Sequence, residues 1–101
     1  MEAAAEQVSE LMKVLASKHR LLVLCQIVER ERSVGELARL LDVREPAMSQ
    51  QLAVLRREGL VRARRDGQTI YYSLARDDVR RLMQFLYDTY CGGDAARGEH
   101  R

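Results

Sequence analysis

The chain has 101 residues, 47% of them apolar and 32% charged, with a formal net charge of +2. That size allows one domain with a real core but little buried area to spare, so a partner subunit would help. The longest apolar run, Leu21 to Cys25, is far short of a membrane span, and Met1-Glu2-Ala3-Ala4-Ala5-Glu6 lacks the cationic head and apolar core of a secretory signal. A cytoplasmic protein with no membrane partner is therefore expected.

Val8, Leu11, Met12 and Leu15 recur at i, i+3, i+4, i+7, which predicts a first helix over roughly residues 3 to 16 with one apolar stripe. Arg20 to Glu29 is apolar nearly all round, as a helix at the centre of a small domain should be, and this places Cys25 near the core. Ser33 with Glu36 reads as a capping box opening a short helix whose apolar positions are Val34, Leu37, Leu40 and Leu41. After a tight connection over Asp42-Val43-Arg44-Glu45, Pro46 suits the first turn of a further helix that points Met48, Leu52 and Leu55 inward until Gly59 stops it. The period then changes: Val61 to Arg65 and Thr69 to Leu74 flank Asp66-Gly67, read as the two-residue turn of a hairpin, with Ile70, Tyr72 and Leu74 on one face. A last helix over Asp77 to Cys91 carries a stripe at Val79, Leu82, Met83, Leu86 and Tyr90, and Gly92-Gly93 ends it. Residues 1–91 are thus expected to form one domain, and 92–101, without an apolar pattern, a disordered tail.

Two short helices, a tight turn and an arginine-rich hairpin make a mainly α fold with a small β-hairpin, a winged helix-turn-helix whose second helix enters the major groove. Ser49 and Gln50 are expected on the outward face of that helix, with Ala47 and Gln51 beside them. Glutamine can pair bidentately with adenine, serine donates or accepts, and alanine can meet a thymine methyl. A plain solvated polar face would look the same from the helix alone. The net charge is too small to settle the matter, but Arg56, Arg57, Arg62, Arg64 and Arg65 crowd a short stretch interrupted by Glu58 and Asp66, and Arg62, Arg64 and Arg65 around a glycine tip beside Gln68 form a like-charge cluster that phosphates would neutralise. Double-stranded DNA is the expected partner.

The run Met48-Ser49-Gln50-Gln51-Leu52-Ala53-Val54-Leu55-Arg56-Arg57-Glu58-Gly59-Leu60-Val61, followed by Arg64-Arg65-Asp66-Gly67-Gln68-Thr69-Ile70-Tyr71-Tyr72-Ser73-Leu74, resembles the ArsR family of bacterial winged-helix repressors. Leu15-Ala16-Ser17-Lys18-His19-Arg20-Leu21 resembles the family's entry into the second helix. The resemblance spans about residues 8 to 91. It implies an obligate homodimer, built mainly from the first and last helices, that represses transcription until an inducer releases it, and two symmetric recognition helices then call for an inverted-repeat operator. Arg44 departs from the pattern, standing where many relatives have a Ser or Asn that caps the recognition helix.

The family's metal sites do not map onto this chain. The arsenic-type and cadmium-type sites use a Cys-x-Cys pair before the turn, and Glu36 to Leu40 has no thiol. The zinc-type site uses Asp, His and Glu along the last helix, and Asp77 to Cys91 has no histidine. His19 is expected as a surface or partly packed residue, and no metal or cofactor is expected. Cys25 and Cys91 are the only cysteines, on the second and last helices, and in a reducing compartment they form either a reversible redox pair or two packing residues. Their placement resembles the BigR and SqrR branch of the family, which senses sulfide-derived persulfides, and implies reactive sulfur species as the inducer. Cys91 lies at a helix end near Asp88, where the local field disfavours a thiolate, so a nearby cation or Cys25 has to compensate. An enzyme is not expected: no nucleophile is set beside a His and a carboxylate, and there is no phosphate-binding glycine loop. The alternatives are a metal-responsive or general-oxidant-responsive repressor of the same family, and a winged-helix protein-interaction module that does not bind DNA.

Overall fold

The computed structural model describes residues 1–92, with side chains through residue 90. The expected disordered tail lies outside the described residues, apart from Gly92. Five α-helices and three short strands follow in the order α1 (Glu2–Leu15), α2 (Lys18–Ile27), β1 (Arg32–Ser33), α3 (Val34–Leu41), α4 (Glu45–Arg57), β2 (Val61–Asp66), β3 (Thr69–Leu74) and α5 (Asp77–Tyr87). The core is a single cluster. Leu24 and Ile27 of α2, Leu37 of α3, Leu52 and Leu55 of α4 and Met83 of α5 are all sealed from solvent, and Tyr72 and Leu74 close it from the sheet side. No helix among the described residues is long and apolar enough to cross a membrane.

The boundaries follow local chemistry. Ser17 and Ser33 cap α2 and α3 by accepting the amides of Arg20 and Glu36 at 3.3 and 3.1 Å. Two left-handed residues end helices. Gly59 at φ +80° lets Leu60 N–H reach the Leu55 carbonyl at 2.9 Å and Gly59 N–H reach that of Arg56 at 2.9 Å, which is the Schellman arrangement. Asp42 adopts φ 55° and does the same for α3, Val43 N–H reaching Ala38 at 2.9 Å. Only residues 42–44 then separate α3 from α4, so the two helices stay in contact and the second is presented on the surface.

Several expectations need correcting. α2 is not buried all round: Val23, Leu24 and Ile27 are sealed, Leu21 and Cys25 are half-buried, and Leu22 is exposed. Leu40 points to solvent, because Leu37 and Ala38 already fill the contact that an eight-residue α3 makes with the core. The hairpin turn is shifted by one residue. Asp66 pairs with Thr69, so the loop is Gly67-Gln68, with Gly67 at φ +67° in the first loop position, where type II′ turns favour glycine. β1 is an addition to the expected elements; it pairs antiparallel with β3 through Arg32 with Tyr72 and Ser33 with Tyr71, giving the sheet order β1-β3-β2. α5 stops at Tyr87 and continues as a π-helical turn, Asp88–Gly92. The wider turn takes Tyr90 off the α-helical stripe, leaving it 68% exposed.

Candidate nucleic-acid interface

Met48, Leu52 and Leu55 pin α4 to the core, and the opposite side of the helix is open. Ala47, Ser49 and Gln50 are exposed there, while Gln51 is half-buried. Gln51 and Ala47 border a recess with His19, Val23, Leu41, Val43 and Met48, so Gln51 sits to the side of the outward face. His19 is exposed at the rim of that recess. The helix begins without a side-chain cap, Arg44 holding the N-cap position in an extended conformation. Arg56 is exposed in the last turn of α4, where a cation suits the negative end of the helix dipole whatever else it does.

The wing divides its arginines by face. Residues directly opposite in an antiparallel pair share a face, and Val61 with Leu74, Ala63 with Tyr72 and Arg65 with Ile70 form the inner, core-side row. Ile70 and Gln68 also line a groove with Ser49 and Glu45. The structure therefore brings Ser49, Gln68 and Ile70 together between α4 and the wing, with Arg65 in the same row of the hairpin as Ile70. Arg62 and Arg64 alternate onto the outer face. Arg62 donates to the Ala75 carbonyl at 3.1 Å. Arg64 grips Glu31, Nε to Oε2 at 3.2 Å and Nη2 to Oε1 at 2.5 Å, and stacks 4.9 Å from the centre of the Tyr71 ring. The Arg64 hydrogen bond holds the Glu31 carboxyl below its ordinary value despite an opposing effect of burial, and the same bond raises Arg64. Arg65 is exposed and makes no hydrogen bond or ion pair among the described residues. Sequence reasoning had no signal for Glu31, which lies 33 residues from Arg64.

Cys25 is half-buried on α2 and packs against the core cluster. α2 packs against α5, and Arg80 of α5 donates to the Val28 carbonyl at the end of α2 at 2.9 Å. Cys91 belongs to the π-helical turn that prolongs α5, and its side chain lies outside the described residues. Among the described residues no cluster of His, Cys, Asp and Glu could hold a metal ion.

The model of the family described as "Bacterial regulatory protein, arsR family" matches residues 17–63, the stretch from the α2 cap into β2. The biofilm growth-associated repressor of Agrobacterium fabrum is 46% identical over 91 residues, covering 90% of this chain and 78% of that protein. The transcriptional activator HlyU of Vibrio cholerae is 40% identical, covering 90% of this chain and 84% of its own length. Reduced HlyU superposes with a TM-score of 0.86 over 90% of this chain and 96% of that structure. A homodimeric winged helix-turn-helix DNA-binding domain from Mycobacterium bovis, 31% identical, has a TM-score of 0.76 over 99% of this chain and 92% of its own. These relatives are transcriptional regulators rather than enzymes, and with this fold and these similarities the chain belongs to the ArsR family of winged helix-turn-helix transcriptional regulators.

Proposed function

We propose that this chain is a homodimeric repressor that holds double-stranded DNA at an inverted-repeat operator and releases it when reactive sulfur species modify Cys25 and Cys91. The observation that carries the DNA-binding part is the open face of α4: Ser49 and Gln50 stand free of the core, Ser49 lines a groove with Gln68 and Ile70, and the uncommitted Arg65 pairs with Ile70 on the wing. Polar side chains there read base edges, and a flanking cation meets the phosphate backbone. Ala47, Gln51 and Arg56 border the same surface, with Arg62 and Arg64 behind it. Uncovered apolar side chains on α1 and α5, and the homodimeric relative, support the dimer. One relative is named a repressor and another an activator; repression is the simpler outcome of occupying DNA, since it needs no contact with the transcription machinery.

The thiol reading is supported by a half-buried Cys25 on α2, a helix that packs against α5, and by Cys91 in the turn that prolongs α5. A cysteine thiolate attacks the sulfane sulfur of a persulfide donor RSSH, giving Cys–S–SH and releasing the thiol RSH. The second thiolate then attacks the inner sulfur and expels HS⁻, leaving a disulfide. A further sulfur transferred before that step stays in the bridge. A covalent tie between α2 and the turn after α5 changes how α5 meets its partner, and with it the spacing of the two recognition helices. The test is mass spectrometry of the protein after exposure to a sulfane-sulfur donor, peroxide or glutathione disulfide, read beside operator affinity. The expected result is a Cys25–Cys91 bridge with the persulfide donor and loss of DNA by a factor of about 5 to 150, the usual range of allosteric coupling. Release of DNA by the Cys25→Ser, Cys91→Ser double variant would overturn the thiol mechanism and leave the DNA-binding reading intact.

A further inference from the structure

We infer that Arg64 is a positioning residue of the wing and that the wing charge offered to DNA phosphate is Arg65; this rests on the DNA-binding reading above. Arg64 and Arg65 are neighbours in sequence and equal in charge, but they lie on opposite faces of β2. Arg65 shares the inner row with Ile70, which lines the groove beside Ser49. Arg64 shares the outer row with Tyr71.

The guanidinium of Arg64 is already committed. Its Nε and Nη2 form a two-pronged grip on Glu31, and Nη1 lies 3.9 Å from Asp66 Oδ2. One guanidinium with two carboxylates sums to a local charge of −1, so presenting this cluster to a phosphate would mean breaking the bidentate pair and bringing two anions close to a third. The grip has a mechanical consequence instead. β1 and β2 are the outer strands and β3 the central one. Glu31 immediately precedes β1, Arg64 is on β2, and Tyr71 of β3 lies beneath the guanidinium. The bridge therefore straps the sheet from edge to edge across the Tyr71 ring. β2 is otherwise held at its outer half only by its ladder with β3, where Arg64, Arg65 and Asp66 are all exposed. A planar fork on a carboxylate and over a ring fixes an angle as well as a distance, and the angle of the hairpin decides where Arg65 and Gln68 meet the duplex.

Salt dependence separates the two roles, because removing one cation that neutralises a phosphate lowers the slope of log affinity against log salt by about 0.9. Binding of the dimer is measured by fluorescence anisotropy across a salt series, on one duplex selected by the wild type from a random-sequence pool. Arg65→Ala should flatten the slope by about that amount per bound subunit. Arg64→Ala and Glu31→Gln should each weaken binding several-fold with the slope unchanged. Their double variant should be no weaker than either alone, since both act through one bridge. Both side chains are at the surface, so melting temperatures should barely move. A flattened slope in Arg64→Ala, tighter binding with a steeper slope in Glu31→Gln, or additive losses in the double variant would overturn the assignment while leaving DNA binding itself standing. If the wild type selects no duplex at all, the DNA-binding reading falls and the assignment falls with it.

Discussion

Arg44 occupies a position where physical chemistry disfavours it. Ser17 and Ser33 close their helices with side-chain hydrogen bonds, whereas Arg44 offers none to α4 and adds a cation at the positive end of the helix dipole. Arg44→Ser should therefore stabilise the fold by about 1 kcal/mol, visible as a raised midpoint in urea with an unchanged m-value; an unchanged or lowered midpoint would show that the N-terminus of α4 is satisfied in another way. Gln50 calls for a different kind of measurement. It is exposed on α4 while its neighbour Gln51 is partly covered, so Gln50→Ala should relax preference at one base pair per half-site by about 1 to 3 kcal/mol, and Gln51→Ala by less. Competition binding with singly substituted duplexes resolves the two, and equal effects would misplace the reading face. The sequence already pointed to this face, because apolar positions 48, 52 and 55 define its opposite. It also set Gln51 beside that face and not on it, but it could not show the recess that covers Gln51, since Val23 and Leu41 come from other helices.

At the scale of elements, the segment joining α2 to α3 is an electrostatic junction. Glu36 caps with Ser33 and receives Arg30 and Arg32, each at 2.7 Å, while Arg32 also donates to the Gln26 carbonyl. Burial pushes the Glu36 carboxyl up, but the Arg32 hydrogen bond, the charges of both arginines and the Ser33 backbone outweigh it and leave it below its ordinary 4.5. Glu31 is lowered by Arg64 and Asp78 by Arg76. A carboxylate whose folded value is depressed contributes stability that is fully present above its unfolded value and is lost as pH falls through the folded one. The melting temperature should thus hold steady down to about pH 5 and drop below it, as the unfolded chain begins to take up protons the folded one refuses. Glu36→Gln should make that drop shallower, and a parallel drop in the variant would exclude Glu36 as a contributor. The capping box at this junction was legible as Ser33 and Glu36. The strand β1 beside it was not: two residues carry no periodicity, and their partners Tyr71 and Tyr72 lie far along the chain. The same limit applies to the wing, whose hairpin was readable from Gly67 although the pairing of Asp66 with Thr69 moved the loop by one residue. The π-helical turn after Tyr87 had no signature in the stripe that precedes it.

At the scale of the molecule, what remains uncovered points to the assembly. The apolar stripe of α1 buries only Leu15 fully; Val8 is 52% and Met12 44% exposed, and Phe85 on α5 is 60% exposed. Water-exposed apolar surface costs about 25 cal/mol per Å² relative to burial, and a single domain of this size has no second layer to cover it. Leu40, 50% exposed on α3, is a control of the same chemistry on a helix not expected to pair. Met12→Lys with Phe85→Glu should shift the protein from dimer to monomer in sedimentation velocity, and Leu40→Glu should leave the dimer intact. The monomer should keep its helical signal and lose operator affinity, because two half-sites centred roughly 34 to 36 Å apart are engaged together only by linked recognition helices. A dimer that survives Met12→Lys with Phe85→Glu but dissociates with Leu40→Glu would move the interface to α3, and a monomer that bound the operator as tightly as the wild type would remove the need for an inverted repeat.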